Sequence, residues 1–168
     1  KPVQLIDLVK KSKLSGRGGA FFPTGMKWEF CKNNISDQKY IICNADEGEP
    51  GTFKDRVLMN KYPGLMLEGM SIAGYAVGAT IGYVYLRAEY FYLRDKIEKE
   101  IQTFRTKGLL GKNILGIAGF DFDIHIHMGA GAYICGEETA LINSMEGKRG
   151  EPSTKEYFPV EKGLHGKP

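Results

Sequence analysis

Residues 69–86 run for eighteen positions without a charged side chain, and such a stretch must be buried. It either crosses a bilayer, for which about 18–20 apolar residues suffice, or it lies in the core of a globular domain. Gly74, Gly78 and Gly82 recur at every fourth position, the spacing of small residues where membrane helices pack. The run nevertheless divides into two unlike halves. Residues 65–77 suit a helix packing closely on a sheet, with Glu68 in its first half. Residues 81–86 (IGYVYL) carry the β-branched and aromatic side chains of strands. The soluble reading is preferred, with no direct membrane insertion.

The rest of the chain repeats this alternation. Residues 3–14 place Leu5, Leu8 and Val9 at helical spacing, and residues 39–43 (KYIIC) read as a short buried strand. Residues 95–107 form the clearest amphipathic helix, with Ile97, Ile101 and Phe104 on one face and Gly108 ending it. Residues 121–128 alternate strictly, Phe122, Ile124, Ile126 and Met128 facing one way. Residues 137–145 read as a helix that Gly147 ends, and the polar tail from Lys148 as a loop or linker. Strands alternating with helices predict an α/β fold, a Rossmann-like, largely parallel sheet flanked by helices and carrying glycine-rich cofactor loops. At 168 residues the chain is one domain, or one domain and part of another. Lys1-Pro2 shows neither an initiator methionine nor a signal segment, and residues 166–168 stop without a helix end, so a partial chain is expected.

Charge and cysteine content exclude several functions. A net charge of +3 without a basic stripe argues against nucleic acid as a partner. Cys31, Cys43 and Cys135 form no CxxC or Cys/His pattern, so they read as small buried hydrophobes in a reducing compartment, and no metal site is expected. His125 and His127 share the polar face of their strand rather than a ligand set. No Ser/His/Asp or Cys/His nucleophile is suggested.

Glycine makes up about 13% of the chain, 22 of 168 residues, against an average of about 7%. Much of it falls in loops beside core elements. The first, residues 16–27, offers Gly16, Gly18 and Gly19 with Arg17 and Lys27 nearby, a nest of amides and two cations suited to phosphate. It matches no GxGxxG, because Phe21 stands where the third glycine belongs, and no GxxxxGK[ST] occurs in the chain. The second, residues 44–51, clusters Asp46, Glu47 and Glu49 directly after a strand, where ligands bind in open α/β sheets. Its carboxylates could hold Mg²⁺, accept hydroxyl and N–H groups, or be solvated. The third, residues 129–138 (GAGAYICGEE), sets Tyr133, Gly136, Glu137 and Glu138 at a helix start. Phe21, Phe22, Trp28, Phe30, Tyr157 and Phe158 flank the loops, and flat cofactor rings stack on such faces. Amides, carboxylates and aromatics suit a redox cofactor, which does the chemistry while the protein positions it.

These residues resemble a known family. Residues 16–20 (GRGGA) with Phe22-Pro23-Thr24-Gly25 and Lys27-Trp28 look like the flavin loop of the NADH-oxidising subunit of respiratory complex I. Residues 44–52 with Lys54-Asp55-Arg56 are similar to its second signature, and residues 129–141 to its third. The same subunit type serves as the diaphorase of NAD-linked hydrogenases and formate dehydrogenases. Together the signatures span almost the whole chain.

The resemblance implies an FMN/NADH-binding domain over residues 1–168, short of the family's ubiquitin-like domain, its cluster-bearing helical domain and an Asn-Asn-x-Glu-Thr segment. FMN would be held by Gly16, Gly18, Lys27, Asn44, Asp46, Tyr133, Gly136 and Glu137, with Arg17, Gly19 and Glu47 also among the cofactor-binding residues. Phe22, Phe30 and Phe158 would lie near the NADH rings, Glu49 and Glu138 would face the nicotinamide and ribose as the catalytic pair, and Lys155 would meet the phosphates. Hydride would pass from NADH to FMN with reacting atoms about 3–3.5 Å apart, and electrons would go singly to iron–sulfur clusters and quinone. The [4Fe–4S] cluster of the full-length subunit would not be ligated here. The implied partners are NADH and adjacent iron–sulfur subunits, the implied location the cytoplasmic face of the bacterial inner membrane or the mitochondrial matrix side, as a peripheral protein. Phe21 replaces a family glycine, and Glu156-Tyr157 replace a proline pair.

Two other readings compete. In one, the carboxylate loop holds Mg²⁺ and the glycine loop holds phosphate for phosphoryl transfer, against which the missing Walker-type Lys-Ser pair counts. In the other, the chain is a folded but empty piece whose surface serves assembly.

Overall fold

The computed structural model describes residues 1–154 and 156–168. Three parallel strands, β1 (Tyr40–Ala45), β2 (Ile81–Leu86) and β3 (Asp123–Met128), lie side by side in chain order. Parallel neighbours need crossovers. Helices α3 (Lys54–Lys61) and α4 (Pro63–Val77) connect β1 to β2, and α5 (Arg94–Thr106) connects β2 to β3. Helices α1 (Pro2–Lys11) and α2 (Thr24–Asn33) precede the sheet, and α6 (Glu138–Met145) follows it. The α/β reading holds.

The charge-free run is split as the sequence predicts. Gly78 adopts φ +82° after α4, a left-handed turn that glycine reaches without steric cost and that ends the helix before β2 begins. Among the described residues no helix is long and apolar enough to cross a membrane. Gly74 and Gly82 serve packing: a Cβ on either would come within 2.7 Å of the Phe122 ring.

Register decides which face of the sheet is core. Cys43, Val84 and Ile126 align across the strands, as do Ala45, Leu86 and Met128, and all six join the main core beneath α4 and α5. The opposite face aligns Asn44, Tyr85 and His127, and a smaller cluster of Tyr85, Cys135 and Leu141 covers part of it under α6. His125 and His127 stand on this second face as read, each beside a tyrosine ring of β2. Cys31 and Cys135 are buried, and burial pushes the thiol of Cys43 up to about 12.

Buried Lys39 joins elements that the sequence leaves separate. Its Nζ donates to the carbonyls of Cys31 (2.7 Å) and Lys32 (2.8 Å) at the end of α2, and to Val77 (3.3 Å) at the end of α4. An ammonium there meets the negative ends of both helix dipoles.

Two expectations are corrected, and one helix is added. The loop read over residues 16–27 ends earlier, because Thr24 begins α2 and places Lys27 on a helix. That helix has no side-chain cap, and its buried residues are Gly25 and Cys31, so no apolar stripe announces it. The turn read over residues 44–51 begins later, since Asn44 and Ala45 extend β1. Helix α3 went unread because its cap is remote: Glu47 accepts the backbone N–H groups of Asp55 (2.7 Å) and Arg56 (3.3 Å) from outside the helix.

Candidate functional site

Parallel strands deliver their carboxyl ends to one edge of the sheet, and the following loops meet there. The carboxylate loop leaves β1, a turn headed by Arg87 leaves β2, and the third glycine loop leaves β3. Two of these loops interlock. Asn44 Nδ2 donates to the Gly136 carbonyl (2.8 Å), while its Oδ1 accepts from the Asp46 N–H (3.2 Å). The Tyr133 hydroxyl donates to Glu49. The approach is close: a Cβ at Gly136 would sit 3.1 Å from the Asp46 carbonyl, and one at Gly48 would sit 3.2 Å from the Tyr133 ring. Glycine leaves room for this approach, since a side chain at either point would press on its neighbour by a few tenths of an ångström.

Within this junction the predicted carboxylates separate by task. Glu47 is 5% exposed and fully engaged: besides capping α3, it accepts the Tyr90 hydroxyl at 2.9 Å. These bonds hold its carboxyl below the usual range although burial works the other way. It shapes the loop. Glu137 caps α6, accepting from the backbone N–H groups of Thr139 (2.9 Å) and Ala140 (3.0 Å). Glu138 is half-buried at the first position of α6. Glu49 is exposed, and through Tyr133 it spans the two loops.

Asp46 is the exception. Both its carboxylate oxygens are buried without a hydrogen-bond partner. Burial pushes its pKa up to about 6, opposed by the nearby Arg87 charge and reinforced by Glu89. A buried acceptor lacking a donor costs about 1–3 kcal/mol, so Asp46 is left with unmet acceptor capacity for hydroxyl or N–H donors. Gly18 and Gly19 tell the same story in the first loop. Nothing lies within 4 Å of a Cβ built on either, so no packing contact requires them; Gly19 has a backbone reason in its φ of +113°, and Gly18 has none. This open backbone and the orphaned carboxylate fit a polyhydroxylated, phosphorylated cofactor.

The first loop is a self-contained hairpin. The Gly16 N–H meets the Phe22 carbonyl at 2.9 Å, and Ser15 bridges Pro23. Arg17 Nη1 donates to Ser15 Oγ (2.9 Å). Among the described residues no hydrogen bond ties this hairpin to the other two loops, whereas hydrogen bonds join the second and third signatures to each other. Phe22, Phe30 and Phe158 each expose roughly half of their surface or more, and Lys155 lies outside the described residues. Phe21, at the family's glycine position, adopts φ +50° and is 64% exposed. It keeps the left-handed backbone that glycine favours while its ring stands in solvent.

Two site residues escaped the sequence reading. Arg87 Nη1 donates to the Glu47 carbonyl (2.6 Å), and the hydroxyl of fully buried Tyr85 accepts the Ala130 N–H (3.3 Å) beneath the third loop. Their position at the end of β2 was the available signal. The metal reading gains no support: among the described residues no three His, Cys, Asp or Glu side chains gather to hold an ion.

The comparisons agree with this geometry. Residues 9–165 match the family described as the Nuo51 FMN-binding domain. The chain is 61% identical over 168 residues to the alpha subunit of the NAD-reducing hydrogenase HoxS of Cupriavidus necator, covering 100% of this chain and 28% of that protein. It is 57% identical to a subunit of the NADH-quinone oxidoreductase of Aquifex aeolicus, covering 99% of this chain and 39% of that one. A crystal structure of an NAD⁺-reducing [NiFe]-hydrogenase in its H₂-reduced state superposes with a TM-score of 0.91 at 43% identity, over 100% of this chain and 28% of the other. The chain thus spans between about a quarter and two fifths of these relatives, and within that span it belongs to the Nuo51 FMN-binding domain family.

Proposed function

We propose that this chain forms the FMN- and NADH-binding part of an NADH dehydrogenase subunit, an NADH:quinone oxidoreductase flavoprotein. The observation that carries the reading is the buried, partnerless carboxylate of Asp46 at the carboxyl edge of a parallel sheet. Bound FMN would supply the chemistry of hydride acceptance and one-electron release. The protein's part is to hold and orient. Asp46 supplies an acceptor for cofactor hydroxyls, and the bare amides of Gly18 and Gly19 with Arg17 and Lys27 supply donors for phosphate. Tyr133 and Glu49 would close the junction on the substrate side, Glu138 would face the nicotinamide or ribose, and exposed Phe22, Phe30 and Phe158 offer faces for flat rings. Lys155 would meet the dinucleotide phosphates.

The three cysteines lie on α2, on β1 and in the 133–136 turn, so a [4Fe–4S] cluster of the full-length protein would take its ligands from elsewhere. Adjacent iron–sulfur subunits would receive the electrons, with the assembly peripheral at the cytoplasmic face of the bacterial inner membrane or on the matrix side in mitochondria. A diaphorase role in an NAD-linked hydrogenase is the second reading, favoured by the 61% identity to the hydrogenase subunit against 57% to the quinone oxidoreductase subunit. The test is anaerobic: the full-length protein should carry FMN whose visible band bleaches on NADH addition. Protein that neither retains nor takes up FMN overturns both readings, and the physiological acceptor, quinone or hydrogenase, separates them.

A further inference from the structure

We propose that Arg87 is a positioning residue for the flavin: its guanidinium pins the carboxylate loop so that Asp46 is presented as an anionic acceptor. The inference rests on the function proposed above. Arg87 follows β2 directly, and its own N–H continues the sheet ladder to the Ala45 carbonyl (3.2 Å), one residue before Asp46. Its side chain then crosses to the other side of Asp46, where Nη1 reaches the Glu47 carbonyl at 2.6 Å. The carbonyls of the two residues that flank Asp46, Ala45 and Glu47, are thus both held by one residue.

The rest of the fork is occupied. Nε and Nη2 each meet the Glu89 carboxylate at 3.0 Å, a bidentate pairing that fixes the guanidinium plane. The guanidinium lies 5.8 Å from the Tyr90 ring centre, and the Tyr90 hydroxyl donates to Glu47 in turn. Arg87 therefore acts through the loop and does not need to touch the cofactor. The charged groups that reach Asp46 are Arg87, which favours its anion, and Glu89, which opposes it. The third loop meets Asp46 through the backbone at Gly136. Lysine could keep the charge at position 87 but not the fork.

The test is FMN affinity of the full-length protein, followed by fluorescence quenching between about pH 5 and 8. In the parent, affinity should fall on acidification with a midpoint near 6, where Asp46 takes up its proton. Arg87→Gln should weaken FMN about tenfold at neutral pH and move that midpoint upward by at least half a unit. Arg87→Lys should keep the parent midpoint while losing about threefold in affinity. Parent-like affinity and midpoint in Arg87→Gln overturn the proposal. If Arg87→Gln does not fold, Arg87→Lys decides: affinity equal to the parent's means that the fork pins nothing. A parent that binds no FMN overturns the function instead. A carboxyl ¹³C NMR titration of Asp46 in the flavin-free parent and Arg87→Gln then decides on Arg87 alone, an unchanged titration counting against it.

Discussion

The phenol of Tyr133 donates its hydrogen to the carboxylate of Glu49, joining the loop after β3 to the loop after β1. The bond also raises the pKa of the phenol, because ionising it would set two anions side by side. Tyr133→Phe should raise the KM for NADH about fivefold, the weight of one net hydrogen bond. Since both groups are exposed, the unfolding temperature should stay unchanged. Steady-state kinetics and calorimetry on the full-length protein check the two expectations together.

Asp46 should trade stability for affinity. Its folded pKa of about 6 lies above the ordinary 3.8, so its charge is a cost to the flavin-free fold. That cost is complete above pH 6, fades as pH falls, and is gone below 3.8, where both folded and unfolded chains hold the proton. Allowing for the partial access of solvent to the loop, Asp46→Asn should stabilise the flavin-free protein by roughly 1–2 kcal/mol at pH 7 and scarcely at all at pH 4. FMN affinity should drop in the same variant. Urea unfolding at the two pH values measures the first, and fluorescence quenching the second.

Lys39→Met should cost about 2–3 kcal/mol, since it leaves the buried carbonyls at the ends of α2 and α4 without their shared donor. FMN affinity per folded molecule should be preserved. Urea titration with refolding controls is the measurement.

Phe21→Gly should stabilise. A bulky residue at φ +50° carries about 1–2 kcal/mol of steric cost. Glycine removes that cost but gives back about 0.5–1 kcal/mol in unfolded-state freedom. The net expectation is a gain of roughly 0.5–1 kcal/mol by thermal unfolding, with FMN bound several-fold more tightly once the side chain is gone from the first loop.

What the sequence made legible follows from how local each cause is. Helix α5 and strand β2 were readable because each carries its own pattern, an apolar stripe ended by Gly108 and an uncharged β-rich run. Helix α3 was not, because its cap comes from Glu47 across a turn. The same non-locality hid part of the site. Asp46 stood out as one of three acidic residues, but only the fold separates it, without partners, from Glu47, whose oxygens are engaged. Arg87 carried no local signal, since its partners Glu47 and Asp46 lie some forty positions earlier.

Among the described residues, strand β1 has a hydrogen-bonded neighbour strand, β2, on one side only, and its first N–H, on Tyr40, is taken by the Pro168 carbonyl at 2.9 Å. Beside it runs a cleft of about 240 Å³ lined by Trp28, Cys31, Ile41 and Val160 among others. A sheet margin next to an apolar trough is a template for another extended backbone. An extended backbone pairing with the start of β1 on that side would first have to displace the Pro168 carbonyl, so the tail segment guards the margin of the sheet.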